Sequence, residues 1–105
     1  MNNIDDLLNK KEYLNSLYDI YKNLLTPKQQ EYFEAYFFDD LSLAEIAEGA
    51  NVSRNAVFTA LKSIEEKLEE YEAKLKISFK KENINQILES SNNLEEIKEK
   101  IRNIL

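Results

Sequence analysis

Two helix starts lie only eleven residues apart in the middle of this chain, at Ser42 and at Ser53. Ser42 is followed three residues later by Glu45, which is the pattern of a capping box, and Ser53 is of a residue type that caps helices. Asn51 stands between them, and asparagine is one of the few residues that tolerate a left-handed backbone at a sharp turn. Two helices joined by so few residues must cross steeply, so residues 41–64 predict a helix-turn-helix.

Apolar residues flank both predicted caps with the spacing of a hydrophobic staple. Leu41 precedes the first cap and Ile46 follows it, while Val52 and Val57 bracket the second cap in the same way. We therefore expect Val52 to fill the angle between the two helices.

The same stretch carries a resemblance to known proteins. EIAEGANVSRNAV is similar to the second half of region four of bacterial sigma factors, and LTPKQQEYFEAYFFDDLSLAEIA is similar to its first half. Residues 17–75 as a whole resemble the YlxM-like family of small bacterial proteins. The resemblance implies an all-α fold, a helix-turn-helix bundle of the winged-helix-like DNA-binding superfamily with a long C-terminal helical extension. It also implies a regulatory role linked to the signal recognition particle pathway, because the genes of that family neighbour those of the particle's GTPases.

Composition supports the helical interpretation and argues against catalysis. The chain has one glycine and one proline among 105 residues, and sheets need both for their turns. It has no cysteine and no histidine, which removes the usual zinc ligands, the usual general base and every Cys-His or Ser-His pair. We therefore predict a protein that is not an enzyme, with no catalytic residue, no metal and no cofactor. Asp39 and Asp40 are expected to be turn residues rather than metal ligands.

Hydropathy and charge along the chain bear on its location and its domains. No apolar run approaches the roughly 18 residues of a membrane span, and the first residues lead into charged ones rather than into a signal sequence. We expect a cytoplasmic protein that does not contact membranes. Residues 1–83 are expected to form the helix-turn-helix bundle and residues 84–105 a C-terminal helical tail.

The helix that begins after the second cap has two different sides. Val57, Leu61 and Ile64 are expected to face the core, which leaves polar residues on the opposite side. In a helix-turn-helix, arginine and asparagine at this place can hydrogen-bond base edges, and threonine or an aromatic ring can contact a thymine methyl group. The predicted nucleic-acid-binding residues are Ser53, Arg54, Asn55, Phe58, Thr59 and Lys62.

The charge distribution leaves two functions open. The formal net charge is −6, and residues 26–52 carry one lysine against six carboxylates, whereas residues 53–64 carry two cations and no acid. Four cations in a dimer predict a salt slope of only about −3.6, at roughly −0.9 per phosphate neutralised. The first function is binding of DNA or of the signal recognition particle RNA. The alternative is an adaptor that does not bind DNA and uses its acidic helix-two surface to contact a basic partner, such as a GTPase of the particle.

Helical spacing of apolar residues predicts a first helix from Asp5 to Leu24 that packs on the next two helices. Thr26, Pro27 and Gln29 then provide the cap, the first position and the capping-box partner of a second helix.

Aromatic residues crowd this second helix. Phe33 and Phe37 lie one turn apart and are expected to face inwards with Tyr36 beside them. Tyr32 and Phe38 are then expected to be partly exposed, where packing is favoured over stacking on nucleotide bases because the carboxylates nearby would repel phosphates.

The long helix after Ser53 is predicted to continue through Lys81. Its apolar residues keep a seven-residue repeat beyond the motif, and these later side chains need a surface of their own. The first helix and a second copy of the chain both offer one, and a homodimer is the preferred interpretation. The predicted dimer interface consists of Leu68, Tyr71 and Leu75.

A polar break at residues 90–93 precedes a last amphipathic helix. Either Asn92 with Glu95 or Asn93 with Glu96 is expected to cap it. We expect this helix to pack on the bundle or across a dimer, and the alternative is that a partner protein binds it. Its apolar residues are Leu94, Ile97, Ile101, Ile104 and Leu105.

Overall fold

Helices account for almost all of the chain in a computed structural model that describes the backbone of residues 4–104 and the side chains of residues 10–104. In chain order they are α1 (Ile4–Tyr21), a 3-10 helix (Lys22–Leu24), α2 (Pro27–Phe37), α3 (Leu43–Ala50), α4 (Arg54–Leu75), α5 (Ile77–Ser90) and α6 (Leu94–Ile104). The predicted all-α fold class is confirmed. Residues 1–3 and Leu105, the last apolar position of the predicted final helix, lie outside the described residues.

The main core lies where α1, α2 and α4 meet. Phe33 is 1% exposed, and its ring stacks on Tyr18 and on Phe37 with centroid distances of 4.2 and 4.3 Å. Offset ring pairs at such distances add attraction to the area that they bury. The buried members of this cluster are Leu14, Leu17, Tyr18, Tyr21, Leu25, Phe33, Ile64 and Leu68.

A second, smaller cluster joins α3 to α4 and is made of Ile46, Ala47 and Val57. Tyr32 and Leu61 pack against both clusters. These two side chains therefore connect the helix-turn-helix to the rest of the bundle.

The start of α2 agrees with its predicted cap. The Thr26 hydroxyl accepts from the backbone N–H of Gln29 at 3.1 Å, and the Gln29 side chain accepts from the Thr26 N–H at 2.9 Å. Pro27 occupies the first helical position. Tyr36 was expected to face inwards beside Phe33 and Phe37, but it is 39% exposed. The two phenylalanines already fill the inward face of α2, so Tyr36 lies at its edge.

The predicted single helix through Lys81 is wrong, because α4 ends at Leu75 and Lys76 adopts a left-handed conformation with φ of 53°. Side chains accept the hydrogen bonds of the backbone N–H groups that lose their helical partners at this break. The Tyr21 hydroxyl accepts from the N–H of Ile77 at 3.1 Å and donates to Glu72 at 2.7 Å. The Glu72 carboxylate also accepts from the backbone N–H groups of Ser78 and Phe79, at 3.1 and 3.2 Å.

These bonds satisfy three backbone donors in the first turn of α5, which an unassisted helix start leaves without a partner. Burial, and next the hydrogen bond to Glu72, raise the pKa of Tyr21, so its hydroxyl keeps the proton that it donates. We call this arrangement of Tyr21, Glu72 and the start of α5 the α4–α5 joint.

The predicted dimer-interface residues lie in different environments. Leu68 is fully buried against the main core, and Tyr71 packs on the same core and donates from its hydroxyl to the carbonyl of Leu24 at 3.3 Å. Both side chains thus have within one chain the surface that they need, and their burial requires no second copy. Leu75 is 45% exposed.

The last two helices form a hairpin. Of the two predicted caps Asn93 is the one formed, since its side chain accepts from the N–H of Glu96 at 2.8 Å. The connection is three residues long, and α6 contacts α5, while α5 also contacts α1. The predicted boundary between residues 83 and 84 falls inside α5. Among the described residues, no helix combines the length and apolarity that crossing a membrane requires.

Candidate nucleic-acid interface

The first helix of the motif is held by the predicted capping box. The Ser42 hydroxyl accepts from the N–H of Glu45 at 3.0 Å, and the Glu45 carboxylate accepts from the N–H of Ser42 at 2.8 Å. The backbone N–H of Ser42 is the main reason why the pKa of Glu45 lies below its usual value. The start of α3 at Leu43 is confirmed.

The turn between the two helices has the left-handed residue that the sequence predicts. Asn51 has φ of 57°, and its N–H donates to the carbonyl of Glu48 at 3.3 Å. The N–H of Val52 donates to the carbonyl of Ala47 at 3.0 Å. This pair of bonds is a Schellman motif, which ends a helix, reverses the chain and pairs two of the helix's last carbonyls.

Val52 does not fill the angle between the helices, contrary to prediction. It is 41% exposed, whereas Val57 and Ala47 are buried at the crossing. Alanine allows the backbones of α3 and α4 to approach, and Ile46 and Val57 then close the gap, so no space remains there for the side chain of Val52.

Ser53 begins α4 as predicted, with its hydroxyl oxygen accepting from the N–H of Ala56 at 3.0 Å. The hydroxyl proton is not used in that bond, so Ser53 can still donate to an oxygen of a ligand. Because the free N–H groups of a helix start favour anions, this end of α4 suits a phosphate.

The structure brings the six predicted nucleic-acid-binding residues together on the solvent side of α4. All six are exposed, Phe58 to 52%, while Val57, Ile64 and the half-buried Leu61 occupy the opposite side. From Arg54 to Lys62 the helix rises by about 12 Å at roughly 1.5 Å per residue. We call this set of Ser53, Arg54, Asn55, Phe58, Thr59 and Lys62 the α4 face.

The two cations of the α4 face differ in availability. Lys62 lies 3.3 Å from Glu65, which also pairs with Lys10 at 3.2 Å and whose side chain is only 17% exposed. Among residues 10–104, Arg54 takes part in no ion pair. Of the two cations on this face, Arg54 is therefore the one with no competing carboxylate among those residues, whereas Glu65 neutralises part of the charge of Lys62. The three-residue spacing of Lys62 and Glu65 is a signal that sequence reasoning missed.

A second surface lies beside the motif. A groove of about 230 Å³ runs between α2 and α3, lined by small residues, by Tyr32, and by the charged side chains of Glu31, Glu45 and Lys28, so that carboxylates outnumber cations. A Cβ atom added to Gly49 would meet no atom within 4 Å, so this glycine leaves open space. We call it the α2–α3 groove, lined in part by Glu31, Tyr32, Ala35, Glu45, Gly49 and Ala50. The small residues Gly49 and Ala50 were the sequence signal from which this groove could have been predicted.

The capped first helix, the left-handed turn and the second helix with one exposed face define a helix-turn-helix protein. The chain belongs to the family described as helix-turn-helix proteins, YlxM / p13 like, whose model matches residues 8–105.

Curated relatives agree with that membership. The chain is 47% identical over 83 residues to a UPF0122 protein of Halalkalibacterium halodurans, an alignment that covers 79% of this chain and 76% of the relative. It is 48% identical over 83 residues to a UPF0122 protein of Geobacillus kaustophilus, with the same coverage. A UPF0122 protein of Anoxybacillus flavithermus is 52% identical over 69 residues, which are 66% of this chain and 63% of the relative.

Proposed function

We propose that this protein is a cytoplasmic regulatory protein that contacts nucleic acid through the α4 face and acts in the signal recognition particle pathway. The observation that carries the proposal is the simultaneous exposure of all six residues of that face at the start of a helix fixed by its turn and cap. Side chains at this end of a second motif helix are those that reach into a groove. The pathway is suggested by the YlxM-like resemblance.

Charge sets the expected strength of the interaction. With two cations on the α4 face, one of them paired with Glu65, neutralising two phosphates gives a salt slope of at most about −1.8 per copy. The acidic residues of α2 and α3 oppose a wider phosphate contact. We therefore expect weak binding that salt abolishes easily.

Removing Arg54 and Lys62 together should weaken this binding strongly. We expect Arg54→Ala with Lys62→Ala to lower affinity at least tenfold and to flatten the salt slope, because the phosphate contacts are lost while helix content stays unchanged. Fluorescence anisotropy across a salt series, with duplex DNA and with the signal recognition particle RNA as separate probes, measures both quantities and shows which nucleic acid binds more tightly.

The matched control is Lys67→Ala with Lys74→Ala, which removes the same charge from exposed positions of α4 outside the α4 face. This control should retain binding. Equal loss in both double variants would show that only net charge matters, and unchanged affinity after removal of Arg54 and Lys62 would reject the α4 face as the contact.

The α2–α3 groove favours a second function, that of an adaptor for a basic partner. Glu31 and Glu48 are exposed on the two helices that border it, and Gly49 leaves room beside them for a side chain of the partner. Glu34 is less suitable for contact, because its carboxylate already accepts a hydrogen bond from the Tyr18 hydroxyl. A Lys/Arg-rich helix of a signal recognition particle GTPase is the partner that this surface fits by charge.

Filling the groove tests the adaptor function. Gly49→Arg should lower capture of the purified GTPases at least tenfold, because its side chain occupies the open space and places a positive charge where a basic partner would bind. The fold should tolerate it, since arginine favours helix more than glycine and lies near a helix C-terminus. Gly49→Ala is the control and should be slightly more stable, by about 0.8–1 kcal/mol, with capture unchanged. Capture by Gly49→Arg at the wild-type level would exclude the groove as the contact.

A further inference from the structure

The hairpin made by α5 and α6 packs less deeply than the helices of the main core. Neither helix contains a fully buried residue, although together they span residues 77–104. Ile97, Ile101 and Ile104 are half-buried along the whole length of α6, and α5 is the element that covers them, so the two helices run side by side in opposite directions.

Large apolar side chains remain uncovered on and beside this hairpin. Leu88 is 53% exposed, Leu94 is 63% exposed, and Ile77 and Leu75 near its open end are 42% and 45% exposed, while Phe79, on the other side of α5, is 60% exposed. Ile84 and Ile87 on the same side of α5 as Leu88 are only half-buried. An amphipathic helix normally buries its apolar stripe against other elements, so Ile77, Ile84 and Leu88, which share one side of α5, are candidates for contact with a partner.

Side-chain charges divide the hairpin into two ends of opposite sign. The turn end, residues 84–98, carries three carboxylates against Lys98, namely Glu89, Glu95 and Glu96. The open end, residues 77–83 and 99–104, carries four cations against Glu82 and Glu99. Those four are Lys80, Lys81, Lys100 and Arg102. Like charges thus gather at each end of one copy, and the ion pairs between Lys100 and Glu96 and between Lys98 and Glu95 are exposed, so they offset this only weakly.

We infer that the partner of this face is a second copy of the chain, packed antiparallel about a two-fold axis. In that arrangement the acidic turn end of each hairpin lies against the basic open end of the other. The two hairpins together form four helices around a shared apolar layer, which is a stable way to bury amphipathic stripes. A two-fold contact uses the same patch on both copies, as a self-complementary charge pattern requires.

Other occupants match the hairpin less well. Its side-chain charges sum to zero, whereas a nucleic acid or an anionic membrane surface attracts helices with a basic excess. The inference also moves the predicted interface away from Leu68 and Tyr71, which are used within the chain, and does not depend on the α4 face.

Complementary charge reversals test the inference. Lys100→Glu with Arg102→Glu makes both ends of α6 acidic. Glu95→Lys with Glu96→Lys makes both ends of α6 basic. Sedimentation equilibrium of the full chain should show a wild-type dimer at micromolar concentration. Each double variant alone should raise the dimer dissociation constant at least tenfold, and an equimolar mixture of the two should restore it to within about threefold.

Two further variants keep the outcome interpretable. Arg54→Glu with Lys62→Glu applies the same charge change to the α4 face and should leave dimerisation unchanged whether or not that face binds nucleic acid. Leu88→Ser should weaken dimerisation while circular dichroism shows the same helix content. A wild-type monomer, including one that instead sediments with vesicles of phosphatidylcholine and phosphatidylglycerol, would overturn the inference. So would variants that fail to complement each other in the mixture.

Discussion

Phe33→Ala is expected to destabilise the protein by about 3–5 kcal/mol, a large part of the roughly 5–15 kcal/mol that holds a domain together. Phe33 is 1% exposed and lies between the rings of Tyr18 and Phe37, so its removal leaves a cavity at the meeting point of α1, α2 and α4. Urea unfolding followed by circular dichroism measures the loss as a lower midpoint with an unchanged slope.

Phe58→Ala is the matched control for this substitution, because it removes the same atoms from a side chain that is 52% exposed. Stability should change by no more than about 0.5 kcal/mol, as for other surface positions. If the α4 face binds nucleic acid as proposed, this substitution should lower that affinity instead, because Phe58 belongs to the face. Equal destabilisation by the two substitutions would contradict the packing of α2 described above.

Leu68→Ala is expected to cost about 2–5 kcal/mol at any protein concentration. Leu68 is fully buried against residues of α1 in the same chain, so its loss weakens the monomer itself. Thermal unfolding at several concentrations measures this: the decrease in melting temperature should be the same at each.

Leu75→Ala on the same helix is the comparison, since Leu75 is 45% exposed and should contribute little to the folded monomer. If Leu68→Ala instead lowered stability only where copies associate, the side chain would belong to an interface between chains and not to the main core.

Local signals in the sequence were sufficient to predict the helix-turn-helix. Thr26, Ser42 and Ser53 each form the predicted cap, and Asn51 adopts the predicted left-handed conformation. These features depend on residues no more than a few positions apart, and such short-range hydrogen bonds are encoded directly in residue type and spacing.

The break at Lys76 could not be predicted in this way. A lysine has no preference for a left-handed conformation, and the groups that support the break are distant in sequence, with Tyr21 51 residues from Glu72 and 56 from Ile77. The exposure of Val52 was missed for a related reason: the spacing of a staple does not reveal that Ala47 and Val57 have already closed the crossing.

The sequence was sufficient to predict where the α4 face lies, but not which of its cations are paired with carboxylates. Helical periodicity placed the α4 face on the solvent side correctly. The pairing of Glu65 with both Lys62 and Lys10 depends on how α1 packs against α4, so the reduced availability of Lys62 follows only from the tertiary structure.

The length of α4 has a geometric consequence for how two copies could read a duplex. Its 22 residues form a helix about 33 Å long, at roughly 1.5 Å per residue. The α4 face lies at one end of this helix and the α4–α5 joint at the other. In a dimer joined through the hairpins, as inferred above, we expect each α4 face to lie at the end of α4 that is farther from the contact between the copies. That reach suits half-sites separated by two turns of B-form DNA, about 68 Å, better than the single-turn spacing of about 34 Å. If the α4 face contacts DNA as proposed, we therefore expect its binding site to consist of two widely spaced inverted half-sites, separated by a long centre in which sequence changes are tolerated.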